Sequence, residues 1–154
     1  MATGRATLKG YFETNDVPTE AQFADLIDSL FNLEDDYLEK QLSCSDLTTD
    51  LTTGTSNGYF RMPYAVTLVE VRASVLTAPT GATLTVDINE SGTSVLSTKL
   101  TIDAGEKTSK TAAVPAVISD SSLADDAEIT IDIDQIGSTV AGAGLIVTLI
   151  YKKA

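Results

Sequence analysis

Two periodicities divide this chain. Near the N-terminus, Phe23, Leu26, Ile27, Leu30 and Phe31 recur at the three- and four-residue spacing that lines one helical face, with Gln22, Asp25, Asp28 and Ser29 on the rest. Thr19 followed by Gln22 forms a capping-box pattern, Pro18 precedes it, and Phe23 stands where a hydrophobic staple closes, so the helix is predicted to begin near Thr19. Asn32 is one candidate end; alternatively Tyr37, Leu38 and Leu42 continue the stripe through the acidic run Glu34, Asp35, Asp36 and Glu39. A lone amphipathic helix of this length is marginal in water. Its stripe is therefore expected to dock on the chain's own strands, on copies of itself or on another protein, and its aromatic content favours an intermolecular surface.

Beyond residue 58 the spacing changes to two. Leu84, Val86 and Ile88 alternate with Thr85, Asp87 and Asn89, and Ile129, Ile131 and Ile133 alternate with Thr130, Asp132 and Asp134. Strands are predicted over 67–75, 82–89, 94–102, 111–118, 128–135 and 144–152, each with one face toward water. The last breaks strict alternation, because Leu145, Ile146, Val147, Leu149 and Ile150 occupy both faces, so it is either central or covered by a neighbouring subunit. Turn formers separate the runs, among them Pro79 to Gly81, Ser91-Gly92 and Gly105. Without long helical crossovers the pairing must be antiparallel. The predicted fold is mainly β: an antiparallel β-sandwich, jelly-roll-like, preceded by a short N-terminal amphipathic helical segment. The expected domains are an attachment or oligomerisation segment over 1–42, a linker over 43–58 rich in Ser, Thr and Gly, and the sandwich over 59–154.

Composition narrows the function classes. With 154 residues and 43% hydrophobic content the chain can bury a core and is not expected to be disordered. The net charge is −12, concentrated toward the N-terminus: through Asp50, 3 basic residues stand against 11 acidic ones, and beyond it 7 against 11. No basic cluster exists to bind phosphates, so nucleic acid and anionic membranes are poor partners. The most apolar stretch, 145–151, is too short to cross a bilayer as a helix, and no membrane insertion is expected. The single cysteine, Cys44, has no partner for an internal disulfide, and residues 1–12 lack a secretory apolar run, so assembly in a cytoplasm is expected.

The chain has no histidine, which removes Ser-His-Asp and Cys-His arrangements; with one cysteine it also removes ordinary Zn²⁺ sites. No phosphate-binding Gly-rich loop appears. No catalytic residue, metal or cofactor is expected. Carboxylates are the remaining chemistry, and Asp132 and Asp134 share a strand face. They have three readings: a glycosidase pair, which would need a desolvated cleft; a Ca²⁺ site completed by Asp125 or Asp126 and further oxygens; or a solvated face whose charge blocks edge-to-edge aggregation, which asks for nothing more. Tyr11, Phe12, Tyr59, Phe60, Met62 and Tyr64 are either core plugs or contacts for neighbours.

Two stretches carry a resemblance. LKGYFETNDVPTEAQFADLIDSLFN, over 8–32, resembles a segment of structural and fibre proteins of tailed bacteriophages, and 59–88 with 128–149 resembles a β-sandwich module of phage virion proteins. The resemblance implies a virion component: a homotrimeric head fibre or capsid decoration whose N-terminal segment attaches to capsid or other virion proteins while a β-rich tip faces outward. On this reading Phe12, Phe23, Leu26, Ile27, Leu30 and Phe31 carry attachment or oligomerisation. The alternative is a tail-fibre or carbohydrate-binding module contacting host-surface glycans, with Tyr59, Tyr64, Asp132 and Asp134 as ligand-binding candidates.

Overall fold

The computed structural model describes residues 5–13, 17–29 and 37–154. The chain forms two compact units, Met1–Asp36 and Tyr37–Ala154.

In the first unit, α1 (Arg5–Gly10) is followed by a turn in which the amides of Tyr11 and Phe12 donate to the carbonyls of Leu8 and Lys9. The second helix, α2 (Glu20–Asp28), starts where its sequence predicts: Thr19 Oγ1 accepts the Gln22 amide at 3.3 Å, and Gln22 Oε1 accepts the Thr19 amide at 2.8 Å. This reciprocal cap satisfies two backbone donors that a helix start otherwise leaves open. The helix closes at Ser29, whose hydroxyl donates to the Asp25 carbonyl. Leu30 and Phe31, the distal part of the predicted stripe, lie outside the described residues.

The second unit is an antiparallel β-sandwich. Its strands are β1 (Leu38–Ser43), β2 (Gly54–Arg61), β3 (Val66–Ser74), β4 (Leu84–Glu90), β5 (Thr93–Ser94), β6 (Leu96–Thr98), β7 (Leu100–Ile102), β8 (Val117–Ile118), β9 (Ser122–Leu123), β10 (Glu128–Gln135) and β11 (Ile146–Lys153). One sheet runs β1-β11-β3-β9 and the other β2-β10-β4-β5, with β7 also on β4; β6 and β8 form a small ribbon. With β5 to β7 taken as one interrupted strand, pairing proceeds from the outside in: β1 with β11, β2 with β10, β3 with β9, β4 with β5 and β7. That nesting, alternating between two sheets, is the jelly-roll arrangement. Val66, Leu84, Val86, Ile88, Leu100, Ile129, Ile131, Leu145 and Leu149 fill the space between the sheets with side chains essentially closed to solvent.

Several stretches differ from the sequence reading: the single strand predicted over 94–102 is broken into β5, β6 and β7, of which β6 pairs with β8. Residues 38–42, offered as a continuation of the helical stripe, are strand: Leu38, Lys40 and Leu42 pair with Tyr151, Leu149 and Val147, all buried. The expected linker 43–58 belongs to the sandwich, since Cys44 and Leu51 are buried in the core and β2 begins at Gly54. Within it Gly58 marks close packing. A Cβ on Gly58 would lie 2.7 Å from Leu42 Cδ2 and 2.8 Å from Cys44 Sγ, so only glycine lets β2 approach this closely. The strand predicted over 111–118 survives only as β8, preceded by a 3₁₀ turn at Ser109–Thr111. The last strand, β11, is central, flanked by β1 and β3, which accounts for its apolar residues on both faces.

Candidate functional site

The first unit presents an apolar ridge. Phe12 and Phe23 meet edge to face, ring centroids 5.6 Å apart at 69°. Beneath them the Tyr11 hydroxyl donates to Asp25 at 3.0 Å, a bond that raises the phenol's pKa above its ordinary value. These contacts tie the turn after α1 to α2 and orient the ridge, yet they do not cover it: Phe12 is 42% exposed, Phe23 48% and Ile27 66%, Leu26 is half-buried, and no residue of α2 is buried.

The four candidate ligand-binding residues divide. Tyr64 packs against the core beside Tyr151, whose hydroxyl is pushed upward in pKa by burial and by Tyr64. Phe60 also packs on the core and Met62 lies within it, whereas Tyr59 stays exposed on the outer face of β2, opposite Thr130. Asp132 and Asp134 share that outer face, as the period of two predicts, but each is engaged. Asp132 accepts the Ser56 amide at 2.7 Å through one oxygen and the Asn89 side-chain amide at 3.0 Å through the other. Asp134 pairs with Lys99 at 2.6 Å, and the same ammonium reaches Asp87 at 3.0 Å.

Asp87 is the member that sequence reasoning missed. It lies on the predicted wet face of β4 but is only 5% exposed, and Asn89 only 7%. Asp87 faces Asp132 across β4 and β10, a juxtaposition of like charges that destabilises a sheet unless neutralised. Lys99 supplies the counter-charge, while the Ser94 hydroxyl and the Ile88 amide donate to Asp87. The result is a closed polar network, each carboxylate held by donors. Asp126 does not join it: it sits in the turn before β10, at a φ of 56°, and its carboxylate pairs with Arg61 at 3.3 Å. Among the described residues no group of three or more His, Cys, Asp or Glu side chains is placed to hold a metal ion.

A third surface carries concavity. Glu70 and Arg72 on β3 separate two clefts, of about 490 and 540 Å³, which share Val69, Glu70 and Arg72 in their walls. The Arg72 guanidinium grips Glu70 through Nε and Nη2, both at 2.8 Å, and Lys110 adds a bond at 3.1 Å; these donors hold the Glu70 carboxyl down at about 2. The alternating pattern of 67–75 marks β3, but Lys110 reaches Glu70 from forty residues away, a proximity no local pattern encodes.

The fold and its surfaces define a jelly-roll β-sandwich protein with an appended two-helix unit. Comparison of the chain with protein-family models, curated proteins and solved structures gave no match.

Proposed function

We propose that this chain is a structural component of a bacteriophage virion: a homotrimeric head-fibre or capsid-decoration protein, attached to capsid or other virion proteins through its N-terminal segment. The observation that carries the reading is the uncovered ridge of Phe12, Phe23 and Ile27. An apolar stripe on a helix too short to be stable alone calls for burial against another surface. Closed symmetric assembly buries identical stripes at once, at about 25 cal/mol per Å² of apolar surface removed from water. The virion setting comes from the resemblance of 8–32, 59–88 and 128–149 to phage structural proteins, and the reading assigns the chain no catalytic role.

Ile27→Asp tests it. Ile27 is 66% exposed, so a charge there should abolish assembly while the strand signal in circular dichroism and the melting of the sandwich stay unchanged. An Ile27→Asp protein that still assembles, or one whose sandwich unfolds, removes the basis of the proposal.

The exposed Tyr59 ring favours a second reading, a tail-fibre or carbohydrate-binding module contacting host-surface glycans. It predicts glycan-array binding that Tyr59→Ala abolishes. An array with no bound glycan dismisses it.

A further inference from the structure

The cleft of about 490 Å³ lies between β3 and the segment that carries the 3₁₀ turn and β8. Its volume falls within the range of small-ligand sites, which are typically apolar with a few convergent polar groups. Val69 and Val71 form one wall, Val117 and Ile118 the other, and the fully buried Leu100 lies at its floor. Val69 and Val117 are 41% and 49% exposed, so water meets apolar surface on both walls.

The charges along this cleft are unequal. Glu70 is the sole acid lining it, against Arg72 and Lys110. The Glu70 carboxylate already accepts from both cations through three hydrogen bonds, so it has little left to offer a cationic ligand. Arg72 and Lys110 each retain N–H groups, and together they exceed the acid by one positive charge. Glu39, whose field also reaches Arg72, lines the neighbouring cleft rather than this one. The chain as a whole carries −12, so anions have no general attraction to it, and an anion held here must be held by these donors.

We infer that this cleft binds an apolar molecule ending in a single carboxylate, its body between Val69 and Val117 and its carboxylate on Lys110 and the free edge of Arg72. The chemistry has two sources, a small aliphatic acid or the C-terminus of a polypeptide with apolar last residues.

The test titrates the ¹⁵N-labelled full chain with octanoate, with octanol and octylamine as controls, and in parallel with a short Val- and Leu-terminated peptide as free acid and as amide. Amide shifts confined to 69–72, 100, 109–110 and 116–118, from octanoate or from the free-acid peptide, support the site, and which of the two binds names the source. Lys110→Ala, at a side chain 65% exposed, should leave the fold intact and weaken binding by about tenfold or more. Val117→Asp should abolish it by placing a like charge in the wall. Octanol or octylamine binding as well as octanoate, an unchanged affinity in Lys110→Ala, or no localised shift from either carboxylate would overturn the inference.

Discussion

The Ser56 amide donates to Asp132 at 2.7 Å, across the point where β2 loses register with β10. Gly58 stands opposite Ile131 and Gly54 opposite Ile133, so 55–57 face Asp132 alone and form a bulge. Ser56 takes a positive φ of 55°, a conformation that costs a non-glycine residue energy unless its surroundings hold it. The Asp132 carboxylate is that restraint, and its second oxygen fixes Asn89.

Asp132→Ala should therefore destabilise the sandwich by about 1 kcal/mol, since it leaves the buried Asn89 amide without its acceptor while the exposed Ser56 amide can turn to water and the like charge facing Asp87 is removed. Asp132→Asn, which can still accept the Ser56 amide, should cost less. Urea unfolding checks both. Unchanged midpoints would return Asp132 to the list of residues kept for a ligand.

Gly137→Ala should be worse than Gly58→Ala. A Cβ at Gly58 meets side-chain atoms of Leu42, Cys44 and Ile131, which can shift, at a cost of about 1–3 kcal/mol. At Gly137 it would overlap the Val140 carbonyl and the backbone of Thr80, which are tied to each other by the Thr80–Val140 bridge. Adding Cys44→Ala to Gly58→Ala should recover part of the loss, a non-additivity that a double-mutant cycle measures. Equal costs at the two glycines would contradict the packing described.

Glu70 makes stability depend on acid pH. Its pKa is lowered on folding, from 4.5 to about 2, first by the Arg72 and then by the Lys110 hydrogen bond. A depressed carboxylate stabilises the native state above its unfolded pKa, and that contribution is lost as pH falls through the folded value. Thermal melts of Glu70→Gln and the parent should differ at pH 6 and converge as pH drops from about 4.5 toward 2. The difference at pH 6 should be about 1 kcal/mol or less, because the Glu70 side chain is 35% exposed and water screens the pair. A gap that widened in acid would carry the wrong sign.

Cys44 should be silent toward thiol reagents in the native state. Burial pushes its thiol up to about 11, so little thiolate exists at pH 8 and the sulfur is enclosed. Labelling should proceed at the rate of unfolding, and stability should decline as pH rises from about 9 through 11, where the unfolded chain ionises first. Rapid native labelling at pH 8 would show that the residue is open.

The alternation of β3, β4 and β10 is legible in the sequence because each puts apolar side chains in the core at a period of two, and the capping box of α2 is legible because it is local. β1 was not. Its Leu38, Lys40 and Leu42 alternate, but Lys40 breaks the apolar series by lying over the Phe60 ring, and the preceding acidic run suits a helix equally well. β2 was hidden by residues chosen for a bulge and for a close approach at Gly58, which together look like linker text. For the site residues, periodicity placed Asp132 and Asp134 on one face. It could not show that Lys99, Ser56 and Asn89 engage them, because those contacts join segments far apart in sequence.

The proposed assembly requires other copies of this chain to bury the ridge of Phe12, Phe23 and Ile27. Sedimentation equilibrium on the full chain measures this most directly. A mass about three times the 16.2 kDa of one chain, falling to one chain's mass in Ile27→Asp, is the predicted result. A parent protein that sediments as a single chain across the micromolar range contradicts it.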